Sequence, residues 1–311
     1  MEQANLAPFL HAVVDHFPER LSVSVDGNTE TLHRYIQYNP FPTNGEKPAE
    51  ESLTLLQSTG EARAYEPSPS ATHTHLLRLL RILDANLGAK YASVSRKIYE
   101  NRKPWQSNKL EEMQSPGLVY VSYHRGNSVA QQSQPEKGAG VPEGDALLFL
   151  SFMLTEETGL LLGDSEQNGE GEGTGDDNNG DEDALAAVVF LYEIQLLQAV
   201  RGQGLGWKLL GTHLRSVAES VGKGNRPGAP EFALAIPFLG IELTVFSDNE
   251  AALGLYRSLG MELTPDSPRD TVAQLEPRRT RSGGNRAGAS GTAAPLTVTR
   301  KPVYYLYYLR M

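Results

Sequence analysis

Cysteine is absent from the 311 residues of the sequence. Disulfide frameworks, thiolate zinc sites and cysteine nucleophiles are therefore excluded, and an intracellular protein is the simpler expectation. Long apolar runs are scarce as well, since the longest, at 146–154 and 184–192, are far shorter than a transmembrane helix. The first residues also lack the basic and apolar regions of a signal peptide. We expect a soluble protein that is not exported and has no membrane partner.

Basic charge is sparse, with 28 Lys and Arg against 38 Asp and Glu. Nine of these acids lie at 164–183, a segment without Lys or Arg, so the rest of the chain is nearly neutral. Because no basic stripe is visible, we expect no direct nucleic-acid partner. The seven histidines are scattered without the spacing of metal ligands, and His-Glu-x-x-His and Gly-x-Ser-x-Gly motifs are absent. We therefore expect no metal cofactor.

Three segments, 126–144, 163–183 and 267–296, contain few side chains that can form a core. We predict that they are disordered insertions, because burial of so little apolar surface does not offset the entropy lost on ordering. The acidic segment 163–183 either steers a basic acceptor by long-range attraction or is a solvated insertion. We divide the chain into an N-terminal extension, 1–70, partly packed on the core, and a main domain, 71–311, that carries the insertions.

The remaining sequence alternates between strand-like and helix-like patterns. Strands are predicted at 20–26, 116–123, 146–155, 185–197, 232–246 and 303–309, and helices at 73–99, 204–221 and 249–259. This order predicts an α/β (α+β) fold in which helices flank a central sheet.

The central motif is the run VRGQGLGWKLL at 200–210, where a strand enters a glycine-rich turn that becomes a helix. Gly202, Gly204 and Gly206 allow the backbone to approach a pyrophosphate, and the helix N-terminus supplies unpaired N–H groups. We predict a phosphate-bearing cofactor. The dinucleotide fingerprint requires a further glycine where Trp207 stands, and the Gly-Lys-Ser/Thr of the Walker motif is absent.

The same run matches the pattern Arg/Gln-x-x-Gly-x-Gly/Ala at Arg201, Gly204 and Gly206, and so resembles the coenzyme A pyrophosphate loop of the GNAT superfamily. Downstream, LTVFSDNEAALGLYRSLGM at 243–261 resembles the superfamily's strand followed by Asn-x-x-Ala and Tyr-x-x-x-Gly-Phe. The resemblance implies the GNAT fold, a mixed, mostly antiparallel central sheet of about seven strands flanked by helices, with acetyl-CoA as co-substrate. A lone match to the first motif is also typical of an ordinary strand–turn–helix junction.

The cofactor contacts that this resemblance implies lie on the strand before the loop, in the loop and on the later helix. They are Ile194, Gln195, Leu196, Arg201, Gly202, Gln203, Gly204, Leu205, Gly206, Trp207, Asn249 and Tyr256. Backbone N–H groups at 194–196 would receive the developing oxyanion, and Tyr256 would point toward the thioester sulfur. The alternatives are that Asn249 is only a helix cap and that Tyr256 is a core tyrosine.

Within the superfamily, YEIQL at 192–196, LTVF at 243–246 and Tyr99 with Trp105 and KLEEM at 109–113 resemble the NatD family of histone N-terminal acetyltransferases. The resemblance implies a monomer of nucleus and cytoplasm that acetylates the Ser-Gly-Arg-Gly tails of histones 4 and 2A. The chain departs from the family pattern at Thr155, where the family has an acidic substrate contact and where Glu156 and Glu157 follow here.

The resemblance also implies that Glu193 is the general base and that Tyr192 orients the incoming amine. A protein α-amine, with a pKa near 8, needs only modest help to lose a proton. The predicted substrate contacts are Tyr99, Trp105, Thr155, Tyr192, Thr244, Tyr304 and Tyr305. The alternative for Glu193 is a structural carboxylate paired with Lys or Arg, and the alternative for Tyr192 is packing.

Two other functions remain open at the level of sequence. The chain could be a GNAT enzyme that acetylates another amine, a lysine side chain or a polyamine, because the cofactor motifs do not encode the acceptor. It could also be a catalytically silent GNAT-like binding module, although Glu193, Asn249 and Tyr256 are all present.

Overall fold

The computed structural model describes residues 6–41, 54–56, 69–126, 144–158, 185–224, 234–275 and 296–311. Predicted disorder at 126–144 and 163–183 therefore lies almost wholly outside the described residues. The third predicted insertion, 267–296, is described at 267–275 and at 296. Thr271–Leu275 pairs there with the strand that begins at Leu296, so the prediction of disorder is wrong for these residues.

Six helices lie in the described part of the chain: α1 (Leu6–His16), α2 (Pro69–Ile98), α3 (Trp105–Met113), α4 (Leu205–Lys208), α5 (Arg215–Gly224) and α6 (Glu250–Ser258). A π-helical turn, Leu209–Leu214, joins α4 to α5, and a short 3₁₀ turn, Gln198–Val200, precedes α4. The strands are β1 (Arg20–Val25), β2 (Asn28–Tyr38), β3 (Thr54–Leu56), β4 (Val119–Arg125), β5 (Ala146–Glu157), β6 (Ala186–Leu196), β7 (Phe238–Phe246), β8 (Glu262–Leu263), β9 (Thr271–Leu275), β10 (Leu296–Arg300) and β11 (Tyr304–Arg310).

Nine of these strands form one sheet in the order β1-β2-β4-β5-β6-β7-β11-β8, with β3 also paired to β2. Every pairing is antiparallel except that of β6 with β7, which is parallel. The predicted mixed, mostly antiparallel sheet flanked by helices is thus confirmed. The count exceeds seven because β1, β2 and β3, which lie in the predicted N-terminal extension, belong to the same sheet.

Apolar side chains cover both faces of the sheet. On one face, Phe9 of α1 and Phe17 after it contact Phe152 of β5, with ring centroids 6.1 and 5.8 Å apart. On the other face, α2 packs through leucines at helical spacing, of which Leu79 and Leu83 are fully buried. The N-terminal residues are therefore part of the main core, because Phe9 and Phe17 have no solvent-exposed surface to speak of.

A pair of buried histidines lies where α2 packs on β4, a strand that β5 separates from β6. The Ser122 hydroxyl lies 3.2 Å from Nε2 of His75 and 2.9 Å from Nε2 of His124. Nδ1 of His75 donates to Gln37, and Nδ1 of His124 donates to the Gly144 carbonyl. Both rings are buried in neutral form, since burial lowers the pKa of His75 well below its usual value and that of His124 to about 4.

This pair makes stability depend on pH. Because the unfolded chain binds protons at a higher pH than the folded His124 does, its contribution is complete above about pH 6.5 and is lost as the pH falls through about 4. At about 1.4 kcal/mol per pH unit, His124 alone accounts for about 3 kcal/mol. We predict that His124→Gln weakens this dependence in urea unfolding measured from pH 7 to pH 4. The exposed His33, opposite on β2, is the matched control, and equal slopes for parent and His124→Gln would contradict the prediction.

Candidate active site

The site lies where β6 and β7 separate. Their parallel pairing ends at Leu191 and Leu243, although β6 continues beside β5 as far as Leu196. A bulge sets Glu193 opposite Ser151 and Leu191 opposite Phe152, so Tyr192 is the extra residue. The edge of β6 that faces β7 is therefore open beyond Leu191, and its backbone is available to a ligand that enters between the strands.

A cavity of about 1010 Å³ occupies this opening. Most of the residues predicted from the sequence line it, although they come from the residue after α2, from β6, the glycine-rich loop, α4, β7, α6 with its N-cap, and β11. They are Tyr99, Tyr192, Glu193, Ile194, Gln195, Leu196, Arg201, Gly202, Gly204, Leu205, Gly206, Trp207, Thr244, Asn249, Tyr256 and Tyr304.

Two predicted residues support the cavity from behind instead. The side chain of Gln203 is turned toward β1, where it accepts from the N–H of Ser24 and donates to its carbonyl, both at 2.7 Å. Trp105 is buried and stacks on Tyr91, with ring centroids 5.2 Å apart and planes at 14°. The predictions that these side chains line the ligand cavity are therefore wrong, because Gln203 is hydrogen-bonded to Ser24 and Trp105 is packed on Tyr91.

The last two predicted contacts, Tyr305 and Thr155, do not line the cavity. Tyr304 and Tyr305 are adjacent on β11, and neighbouring strand residues face opposite sides, so only Tyr304 reaches the cavity. Tyr305 is buried on the other face and donates to Asp270. Thr155 of β5 pairs with Val188 of β6 and does not line the cavity.

The glycine-rich loop has the shape that a diphosphate requires. Gly202 and Gly204 have φ values of 74° and 72°, a region that favours glycine, and Gly204 is the N-cap of α4. Because the first N–H groups of a helix have no partner within it, they are free for an anion at the cavity wall. Arg201 braces the loop by donating to the carbonyl of Leu196 at 2.9 Å and to Asn86. The loop therefore fits a coenzyme A diphosphate.

The start of α6 forms another part of the wall. Asn249 is its N-cap and accepts from the N–H of Ala252 at 3.3 Å, so the capping role is observed together with a place at the cavity. Tyr256, one of the last residues of α6, is buried. Burial and the nearby Glu193 raise the pKa of Tyr256, which keeps its hydroxyl protonated and able to donate.

Glu193 is the buried carboxylate at the opening, with 7% of its surface exposed. Its Oε1 lies 2.7 Å from the ammonium of Lys109 and accepts from the Tyr91 hydroxyl at 3.1 Å, while Oε2 accepts from Gln195 at 2.7 Å. The Lys partner that one interpretation of the sequence required is thus present. Glu193 also lines the cavity, so pairing and access to a ligand occur together.

A second carboxylate shares the same lysine. Glu112 lies 2.5 Å from the ammonium of Lys109, and its Oε2 accepts from the Tyr99 hydroxyl at 3.0 Å. We call Glu193, Lys109 and Glu112 the carboxylate–lysine triad. Sequence analysis missed Lys109, although the spacing of Trp105, Lys109 and Met113 places a lysine on the buried stripe of α3.

Two negative findings apply to the described part of the chain. No group of three or more His, Asp or Glu residues there could hold a metal ion. No helix there is long and apolar enough to span a membrane.

Comparison with known proteins assigns the chain to a family. It is 34% identical over 308 residues to N-alpha-acetyltransferase 40 of Saccharomyces cerevisiae, covering 97% of this chain and 87% of the relative. No protein-family model matches the chain. Among solved structures, Arabidopsis thaliana NAA60 with a bisubstrate analogue gives a TM-score of 0.31 at 12% identity, covering 72% of this chain and 92% of that one. The NatC complex bound to Gag peptide and CoA gives 0.29 at 10%, covering 76% and 90%. At such TM-scores these likenesses decide nothing about this chain.

The mixed sheet that opens at β6 and β7, with a glycine-rich loop at the start of the next helix, defines an acyltransferase of the GNAT fold. Identity to the yeast protein is more specific, and the chain belongs to the N-alpha-acetyltransferase 40 family, also called NatD. The predictions of the fold, of the NatD resemblance and of an acetyl-CoA-dependent N-alpha-acetyltransferase are confirmed.

The positive φ of Gly204 gives a test of the loop. We predict that Gly204→Ala weakens acetyl-CoA binding roughly tenfold, because alanine in this conformation costs about 1–2 kcal/mol. Isothermal calorimetry measures the affinity. Gly254→Ala on α6 is the matched control, since nothing lies within 4 Å of the added methyl group and the backbone there is helical. Unchanged affinity in Gly204→Ala would contradict the assigned role of the loop.

Proposed function

We propose that this enzyme acetylates the N-terminal α-amine of proteins that begin Ser-Gly-Arg-Gly, with the tails of histones 4 and 2A as its acceptors. One observation carries the proposal: a single cavity joins the glycine-rich loop to a buried carboxylate at the separation of β6 and β7. Membership in the N-alpha-acetyltransferase 40 family adds the class of acceptor. A nuclear and cytoplasmic location and a monomeric state are part of the same proposal.

Residues of the loop and of α6 would hold the donor, which supplies an acyl group activated as a thioester. N–H groups at the start of α4 receive the diphosphate, and Asn249 and Tyr256 contact the arm that leads to the sulfur. The open edge of β6 at Ile194–Leu196 offers backbone N–H groups to the carbonyl oxygen, where negative charge develops.

Glu193 accepts the proton in this mechanism. The acceptor arrives as an α-ammonium group and passes one proton to the Glu193 carboxylate, directly or through a water. The neutral nitrogen then attacks the thioester carbonyl, and as the C–S bond breaks its second proton passes to the departing thiolate, so that the amide and the coenzyme A thiol are released. Tyr256, which remains protonated, donates to the sulfur. Tyr192, half-buried and packed edge-on against Phe190 at 4.9 Å, lines the path of the amine.

Acidic side chains beyond the reacting end support a cationic acceptor. Glu242 pairs with Phe190 and lies two residues from Thr244 on the same face of β7, and both neighbours line the cavity. Within the described residues, Oε2 of Glu242 has no hydrogen-bond partner. Burial, together with Glu157 and Asp266, raises the pKa of Glu242 to about 7. A guanidinium from the third residue of the acceptor would offset this unpaired carboxylate, in place of the acid that the family carries at Thr155.

Peptide acetylation followed by mass spectrometry tests the acceptor. We predict that a Ser-Gly-Arg-Gly peptide is acetylated at its α-amine, and that Ser-Gly-Ala-Gly is a weaker substrate because it lacks the guanidinium. An otherwise identical peptide with a blocked α-amine and a free lysine is the control. Acetylation of lysine or of a polyamine alone would show a GNAT enzyme for another amine, and acetyl-CoA binding without any turnover would show a silent module.

The role of Glu193 is tested by Glu193→Gln, which keeps the shape of the side chain and removes the base. We predict a fall in kcat of roughly 10² or more at neutral pH, with acetyl-CoA affinity near that of the parent. Steady-state kinetics and calorimetry measure the two quantities. The parent rate in the variant would remove Glu193 from the mechanism.

A further inference from the structure

The ammonium of Lys109 lies in the interior, where a single charge is costly unless it is paired. Its side chain is 4% exposed and the side chain of Glu193 is 7% exposed, and the two groups are 2.7 Å apart. We propose that Lys109 is a positioning residue that keeps Glu193 ionised and aimed into the cavity at neutral pH. The inference rests on the proposed role of Glu193 as the proton acceptor.

Lys109 is fixed from three sides. Its ammonium contacts Glu193 and Glu112, and it also lies 5.4 Å from the centre of the Tyr91 ring. Two of its three N–H donors meet carboxylates, and the face of the Tyr91 ring lies close to the same charge. Tyr91 in turn donates to the same oxygen of Glu193 that Lys109 contacts. The position of Oε1 is therefore set by two donors on two different helices, α2 and α3.

Among the side chains around Glu193 that are named here, Lys109 is the one with a positive charge. Tyrosines lie near Glu193 on α2, β4 and α6, and burial is the main cause that raises the pKa of Tyr91, Tyr120 and Tyr256. They therefore stay protonated and carry no charge. Tyr99 and Glu112 complete the surroundings on the side of α3, and Gln195 on β6.

The pKa of Lys109 follows from this arrangement. Burial by itself would lower it, but Glu193 and Glu112 more than offset that effect and raise it well above its usual value. Lys109 thus keeps its proton throughout the working range of pH and does not pass it on. Its effect on the reaction is electrostatic, since it favours the charged form of the neighbouring carboxylate.

The charge of the triad suits the acceptor. Two carboxylates and one ammonium leave a net charge of −1, which attracts an incoming α-ammonium group. When Glu193 takes up the proton, the net charge of the triad becomes zero, so the buried site never holds more than one unpaired charge. Without Lys109, Glu193 would lie beside Glu112 with no cation, and a buried carboxylate next to a like charge holds a proton more readily. It could then accept none from the acceptor.

The test is the pH dependence of kcat at saturating peptide, a measure that reports groups in the enzyme–substrate complex. In Lys109→Met, we expect kcat at pH 7 to fall roughly 10²-fold, with the acid limb moved to higher pH by at least about one unit. Part of the rate should return near pH 9. In Lys109→Arg the charge is kept, and the limb should stay near that of the parent.

Glu112→Gln should shift the acid limb in the opposite direction, and it leaves the buried Lys109 in place. Loss of a neighbouring negative charge favours the ionised form of Glu193, so the acid limb should move to lower pH. Lys103→Met is the matched control, because Lys103 forms an exposed ion pair with Glu111 at 2.7 Å. This surface variant should reproduce the parent profile.

Two outcomes would overturn the inference. One is an acid limb that stays in place in both Lys109→Met and Glu112→Gln while acetyl-CoA affinity is retained. The other is an equal loss of kcat at every pH in Lys109→Met and Lys109→Arg, which would indicate a purely structural role. If Lys109→Met does not fold, Lys109→Arg and Glu112→Gln still decide the matter. Failure of the proposed function is separate, since it would appear as a parent enzyme that does not acetylate the peptide.

Discussion

The end of the parallel pairing between β6 and β7 is the constraint on which the rest of the molecule depends. Parallel strands that stayed paired would satisfy their backbone groups with each other and leave no room between them. Here the ladder stops at Leu191 and Leu243, while β5 continues to hold β6 in register as far as Leu196. A rigid strand with one open edge results. In the mechanism that we propose, the donor approaches this edge from the glycine-rich loop, and the acceptor approaches it from the side of Tyr99 and Tyr304.

The interior contains two sets of buried polar groups, the histidine pair and the carboxylate–lysine triad, and they differ in charge. The pair of His75 and His124 is neutral and hydrogen-bonded, and it joins α2 to β4, which β5 separates from β6. The carboxylate–lysine triad is charged and faces the cavity. Replacement of such a triad by apolar residues is often neutral or stabilising in proteins, so stability alone does not account for the triad, which agrees with the role that we propose for Glu193.

Local chemistry explains why some features were predicted from the sequence. Glycine at 202 and 204 is needed where φ is positive, and Asn249 is a typical cap. The loop and the start of α6 can therefore be predicted from a few neighbouring residues. The triad is different, because Lys109 on α3 and Glu193 on β6 are far apart in the sequence and meet only in the folded chain. The choice between Tyr304 and Tyr305 required the register of β11 with β7, which neighbouring letters do not encode. Likewise, the turn of Gln203 toward Ser24 depends on β1 lying at that end of the sheet.

That contact between Gln203 and Ser24 connects the ligand site to the very beginning of the fold. β1 is an edge strand with one strand neighbour, β2, so the amide of Gln203 supplies part of what secures its second half. A donor that stabilises the observed shape of the loop also stabilises this contact with β1, and the coupling is reciprocal. Amide protons of the first hairpin should then exchange with solvent more slowly in the donor-bound enzyme than in the free one, so that the N-terminal segment reports on occupancy of a cavity that it does not line.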